Sequence, residues 1–246
     1  MDISGRKITI TGAGRALGEA LAIVCADLGA RPILLGRSVA ALANVAGHIE
    51  QRTGHRPPFR RCDLADPASV AEAADALQRD HPDLDILVNS GATWIGGPLE
   101  ALTDAEIAAM IDSMLTGTMA LTRRLLPVLR ARPHADIHTV VSMHGLQYAR
   151  LLGSSLPFRV AKAGQDAFVQ GLTEELAGTR VRVTSVYPGF IEDISPLDPA
   201  WSAPRADDAM LSDREVVEAI LFALQMPPNV TIRSLVIERT KSDFLR

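Results

Sequence analysis

The chain has 246 residues, with 25 lysines and arginines against 29 aspartates and glutamates, for a formal net charge of −4. That length commonly makes one α/β domain with a full core, so a single domain over residues 1–246 is expected. The acid excess, without any lysine- and arginine-rich run, argues against nucleic acid or an anionic membrane as partner, and Cys25 and Cys62 alone are too few for a disulfide framework or a zinc cluster.

Residues 1–7 lack the apolar core of a secretory signal and no apolar run approaches a membrane-spanning length, so the expectation is a cytoplasmic protein. The first predicted strand is Lys7 to Ile10, and a helix follows from about Leu17 to Leu28. Between them lies Thr11-Gly12-Ala13-Gly14-Arg15-Ala16-Leu17-Gly18, a glycine-rich strand-to-helix turn. Glycines let the backbone approach a ligand closely, and the unpaired N–H groups of the following helix attract a phosphate, so a dinucleotide is the suggested ligand.

A second strand, Ile33 to Leu35, completes a βαβ unit, followed by a helix from Val39 to Thr53, a strand from Pro58 to Cys62, a helix from Pro67 and a strand from Leu84 to Val88. The pattern then predicts a long helical segment from Asp104 to Arg130, a strand from Asp136 to Val141, a helix from Phe158 to Leu176, and strands over Val181 to Val186 and Thr231 to Ile237. Such alternation predicts a Rossmann-type, doubly wound α/β fold, a seven-stranded parallel sheet with helices on both faces. Ligands of such sheets gather at the carboxyl ends of the strands, where Gly12, Arg37, Asp63, Asn89, Ser142 and Pro188 fall.

The order Thr-Gly-x-x-x-Gly-x-Gly resembles the short-chain dehydrogenase/reductase family, with Ala16 where the family has its middle glycine. The resemblance spans nearly the whole chain. It implies a cofactor held by Gly12, Arg15, Leu17 and Gly18, by the adenine-contacting pair Asp63-Leu64, by Asn89, and by Pro188, Gly189 and Ile191 of a Pro-Gly motif with Asp193 in place of the usual threonine. Asn89-Ser90-Gly91-Ala92 is similar to the family's Asn-Asn-Ala-Gly with its last two residues exchanged. The second strand ends in Arg37 rather than a carboxylate, and with Arg15 in the turn the two cations could bracket a 2′-phosphate, which favours NADP(H); the alternative is two solvated surface arginines.

For chemistry, the resemblance implies a serine, a tyrosine and a lysine. Ser142 matches the Ser-x-x-Gly signature and Lys162 the last place of Tyr-x-x-x-Lys, where its ammonium also holds the nicotinamide ribose, but the tyrosine place is Phe158. The asparagine that carries the family's water relay aligns with Met114. Two readings follow. One is an NADP(H)-dependent oxidoreductase interconverting a small-molecule ketone and a secondary alcohol, its activity either impaired by Phe158, as a deliberate Tyr→Phe substitution would do, or rerouted with Tyr148 or His144 supplying the proton; the other is a catalytically silent NADP(H) binder acting as sensor or assembly partner. Substrate-lining segments are expected over His144 to Leu156 and in a flap or surface loop over Glu192 to Ala209. The family's helices pair between subunits, which implies a homo-oligomer. His134 and His138 have metal-compatible spacing but read as structural histidines, so no metal site is expected.

Overall fold

A computed structural model describes residues 2–150, 153–241 and 244. The strands in chain order are β1 (Lys7–Thr11), β2 (Arg31–Gly36), β3 (Phe59–Arg61), β4 (Ile86–Asn89), β5 (Ala135–Val140), β6 (Val181–Pro188), β7 (Ile191–Glu192), β8 (Leu211–Ser212) and β9 (Ser234–Ile237). The helices are α1 (Ala16–Asp27), α2 (Val39–Thr53), α3 (Pro67–Asp80), α4 (Asp104–Ile111), α5 (Gly117–Arg130), α6 (Leu156–Glu175) and α7 (Asp213–Leu224). Seven strands form one parallel sheet in the order β3-β2-β1-β4-β5-β6-β9, and β7 pairs with β8 in a small second sheet.

Side chains alternate across the pleat, so each strand feeds two cores. Ile8, Ile10, Leu34, Ile86, Val88 and Val186 pack with α1, α2 and α7 on one face. Ile33, Leu35, Leu87, Ile137 and Val183 pack with α3, α5 and α6 on the other. This is the doubly wound arrangement that the sequence predicts. Local chemistry sets the helix starts: Ser38 Oγ accepts from Ala41 N at 3.2 Å, Asp66 caps α3 with Pro67 behind it, and Thr103 and Glu106 form a reciprocal capping box on α4.

Three segments differ from the sequence expectation. The helical run from Asp104 to Arg130 holds, but a π turn over Asp112–Thr116 separates α4 from α5. The helix expected from Phe158 begins at Leu156, because Pro157 is accepted in its first turn. The last strand starts at Ser234 rather than Thr231, and in the segment before it the carbonyls of Met226, Pro227 and Val230 accept from the Arg182 guanidinium. The stretch from Glu192 to Ala209 is tied down near both ends, by the β7–β8 pairing and by a bond from Ile194 N to Asp213 Oδ2 at 3.2 Å.

At the amino-terminal end of the sheet, away from the ligand end, Asp136 is fully buried between Arg6 at 2.8 Å and Arg182 at 2.6 Å. His134 lies 3.5 Å from the same carboxylate, and His138 shares a 2.8 Å hydrogen bond with Thr184 while burial pushes its imidazole down to about 4. His138 thus packs within the core of the sheet, and half-buried His134 borders it just before β5.

Candidate active site

Strand order reverses direction between β1 and β4, and the carboxyl ends of the strands open there into a cleft of about 620 Å³. The Thr11 hydroxyl closes its floor by accepting from Ser90 N and Gly91 N, both at 2.9 Å. Gly12 has φ +71°, and a Cβ on it would sit 2.9 Å from Gly91 Cα; a Cβ on Gly18 would strike the Gly12 carbonyl, so α1 can start this close to the turn only with glycine there. The exchanged order Gly91-Ala92 has a local reason as well. A side chain at 91 would meet Leu64 Cδ1 at 2.7 Å. Ala16 adopts φ 48°, the left-handed region, so the missing glycine costs backbone strain as well as room.

Arg15, Leu17, Gly18, Arg37, Asp63 and Leu64, all expected at the cofactor, line this half of the cleft. Arg15 and Arg37 are exposed, and neither side chain makes a hydrogen bond or ion pair among the described residues. Two uncommitted guanidinium groups on one cleft suit a phosphate ester. Asn89 is the exception. It is buried beneath the wall, its Nδ2 donating to Thr122 Oγ1 at 3.2 Å and Thr139 Oγ1 at 3.4 Å, so it knits β4 to β5 and α5 and does not line the cleft.

At the other half, Pro188, Gly189 and Ile191 line one side, with Asp193 beyond them, and Ser142, Phe158 and Lys162 the other. Ser142 Oγ accepts from His144 N at 3.2 Å, capping the short turn Met143–Gly145, and lies 3.3 Å from His144 Nδ1. His144 is buried and stands edge-on to three rings, Phe158 at 5.7 Å, Phe190 at 6.0 Å and Phe244 at 4.9 Å. Lys162 Nζ donates to the Val140 carbonyl at 3.0 Å and to Gln165 Oε1 at 2.9 Å, and burial pushes its ammonium down to about 7.

The sequence holds two tyrosines and neither lines the cleft. Tyr187 spends its hydroxyl on Asp166 at 2.7 Å, and Tyr148 is 62% exposed and off the cleft. His144 alone of the two expected substitutes is brought to Ser142. Of the expected substrate segments, His144 and Asp193 line the cleft; Leu151 and Leu152 lie outside the described residues. The aromatic wall comes instead from Trp94 and Phe190. The exposed tryptophan just past β4 is a signal that sequence reading could have used; Phe244 belongs to no motif and offers none, and only folding brings it behind His144.

The layered sheet, its strand order and the glycine-lined cleft define a Rossmann-type α/β protein. The chain belongs to the short-chain dehydrogenase family of oxidoreductases, whose short chain dehydrogenase profile matches residues 6–203. An uncharacterised oxidoreductase of Staphylococcus aureus strain USA300 is 28% identical over 235 residues, covering 96% of this chain and 97% of that protein. A metagenomic short-chain oxidoreductase solved in complex with NADP superposes with a TM-score of 0.80 at 25% identity, over 96% of this chain and 98% of that one. The L-sorbose reductase of Gluconobacter frateurii, solved with NADPH and L-sorbose, shares the fold at a TM-score of 0.83 and 22% identity, over 97% and 98% of the two chains. No helix among the described residues is long and apolar enough to cross a membrane.

Proposed function

We propose that this protein is a cytoplasmic NADP(H)-dependent oxidoreductase that interconverts a small-molecule ketone and its secondary alcohol, with Ser142 and His144 moving the proton that a tyrosine would otherwise move. The observation that carries the cofactor choice is the uncommitted pair Arg15 and Arg37 on a cleft whose adenosine end has no competing carboxylate at the β2 terminus. Gly12 and Gly18 would leave room for the pyrophosphate, and Lys162, on the cleft wall, would hold the ribose of the nicotinamide half. Bound there, the cofactor supplies or takes the hydride.

The chain's own residues manage the oxygen. In the tautomer with hydrogen on Nδ1, both His144 N–H groups donate to Ser142 Oγ, and the serine hydroxyl hydrogen is left for the carbonyl oxygen of the substrate. As that oxygen becomes an alkoxide it takes the serine proton, His144 Nδ1 returns one to Oγ, and the ring takes up a solvent proton on Nε2, ending as the other neutral tautomer, so that water supplies the proton the reduction consumes. The reverse sequence serves alcohol oxidation. Phe158 contributes a dry wall against this pair and no proton. Two exposed apolar side chains one turn apart on α6, Leu156 and Val160, with Met119 on α5, support assembly as a homo-oligomer.

The test is NADPH oxidation by the full chain across a panel of ketones, with His144→Phe, Ser142→Ala and Tyr148→Phe variants beside it. Phenylalanine at 144 keeps the ring packing, so its kcat should fall by about 10²-fold while NADPH affinity holds, and Tyr148→Phe should change neither. The second reading, an NADP(H) binder without turnover, is favoured by Phe158 itself; NADPH binding with no oxidation of any ketone, even after Phe158→Tyr, would establish it in place of the first.

A further inference from the structure

Lys162 and Gln165 lie three residues apart on α6, so both side chains leave the same face of the helix. Both are buried, Lys162 at 4% exposure and Gln165 at 1%, yet Lys162 reaches the cleft wall. Gln165 Oε1 accepts from Lys162 Nζ at 2.9 Å, and Gln165 Nε2 donates to the Met114 carbonyl at 2.6 Å. A backbone carbonyl can only accept, so the amide has one orientation, nitrogen toward Met114 and oxygen toward Lys162. Met114 lies in the π turn Asp112–Thr116, where the wider turn loosens the α-helical ladder and lets a carbonyl take an outside donor.

We propose that Gln165 is a positioning residue for this cleft: with the Val140 carbonyl it occupies two of the three Nζ hydrogens of Lys162, anchors them to the π turn, and so directs the third hydrogen at the bound cofactor. The inference rests on the reading of the cleft as an NADP(H) site. At position 114, where the family's relay asparagine aligns, the backbone carbonyl takes over as anchor, and the polar side chain comes from the lysine's own helix.

The surroundings of Nζ are few in kind. The end of β5 contributes the Val140 carbonyl, the π turn Met114, and α6 Gln165 and the Phe158 ring, whose centre is 5.7 Å from Nζ. The titratable neighbour is His144, on the turn after β5 and edge-on to that same ring. No ion pair to Lys162 is made among the described residues, so two oxygen dipoles offset its burial, and one of the two belongs to Gln165.

The chain contains three lysines, Lys7, Lys162 and Lys241, which makes lysine side-chain ¹³Cε NMR titration readable residue by residue. The full cofactor-free chain, Gln165→Leu and Gln165→Glu would each be titrated. Removing the acceptor should move the Lys162 midpoint down by roughly one pH unit, and a carboxylate there should move it up by roughly one or more, with Lys7 and Lys241 unchanged. Opposite shifts cannot come from loosened packing, which would move both variants the same way. The same midpoint in all three proteins, or shifts of one sign, would overturn the proposal. Should Gln165→Leu fail to fold, the isosteric Gln165→Glu still decides it by shifting upward or not. Fluorescence titration of each protein with NADPH is read separately: opposite lysine shifts without NADPH binding would uphold the hold of Gln165 on Lys162 toward the cleft and sink the reading of NADP(H) as what that hydrogen meets.

Discussion

At position 16 a single methyl sits where the backbone turns left-handed, at φ 48°. An alanine there pays a steric penalty that glycine escapes, partly offset by glycine's larger freedom in the unfolded chain. Ala16→Gly should therefore stabilise the protein by about 1 kcal/mol, read as a higher denaturant midpoint at unchanged slope, and should also tighten NADPH binding. A lower midpoint would mean that the methyl packs usefully. Phe158→Tyr belongs to the same scale. It restores a phenol one helical turn from Lys162 Nζ, and turnover should rise at least about tenfold if proton delivery limits the rate. Such positions were legible in the sequence because their chemistry is carried by residue type at fixed spacing. Asn89 was not: its orientation is decided by Thr122 and Thr139, 33 and 50 residues away, which no local motif contains.

At the scale of elements, buried parallel strands read as short apolar runs, which is why the seven-stranded parallel sheet could be anticipated. The π turn between α4 and α5 could not be. Met110, Leu121, Leu125 and Leu129 are buried on either side of it and Met114 within it, so the apolar spacing gives no sign of the extra residue. Gln165 carried a signal that went unused, a polar side chain on the inward face of α6, three residues past the lysine. The segment between β7 and β8 depends on Asp213, whose Oδ2 accepts from Ile194 N while burial and the neighbouring Asp193 push its carboxyl up to about 7. A folded-state pKa above that of the unfolded chain means that the folded protein holds the extra proton, so this group lowers stability progressively as pH rises from about 4 to 7. Asp213→Asn should accordingly raise Tm at pH 8 and lose that advantage as pH falls toward 4. An advantage independent of pH would show that charge is not the cause.

Over the whole molecule, Lys162 tilts the pH dependence the other way. Its folded pKa of about 7 lies below the ordinary lysine value, so between about 7 and 10.5 the unfolded chain binds more protons and stability rises with pH. The fold thus spends stability at neutral pH to keep a buried amine beside the cleft, an arrangement that core packing alone would not require. The same cleft joins two chemistries at its ends: loose guanidinium groups over the adenosine half, and a serine–imidazole pair among phenyl rings over the reacting half. The measurement that bears most directly on this account is fluorescence titration of the full chain with NADPH and with NADH. NADPH should bind about tenfold tighter or more, a margin that Arg37→Ser narrows. Equal affinities, or a preference for NADH that Arg37→Ser leaves untouched, would contradict it.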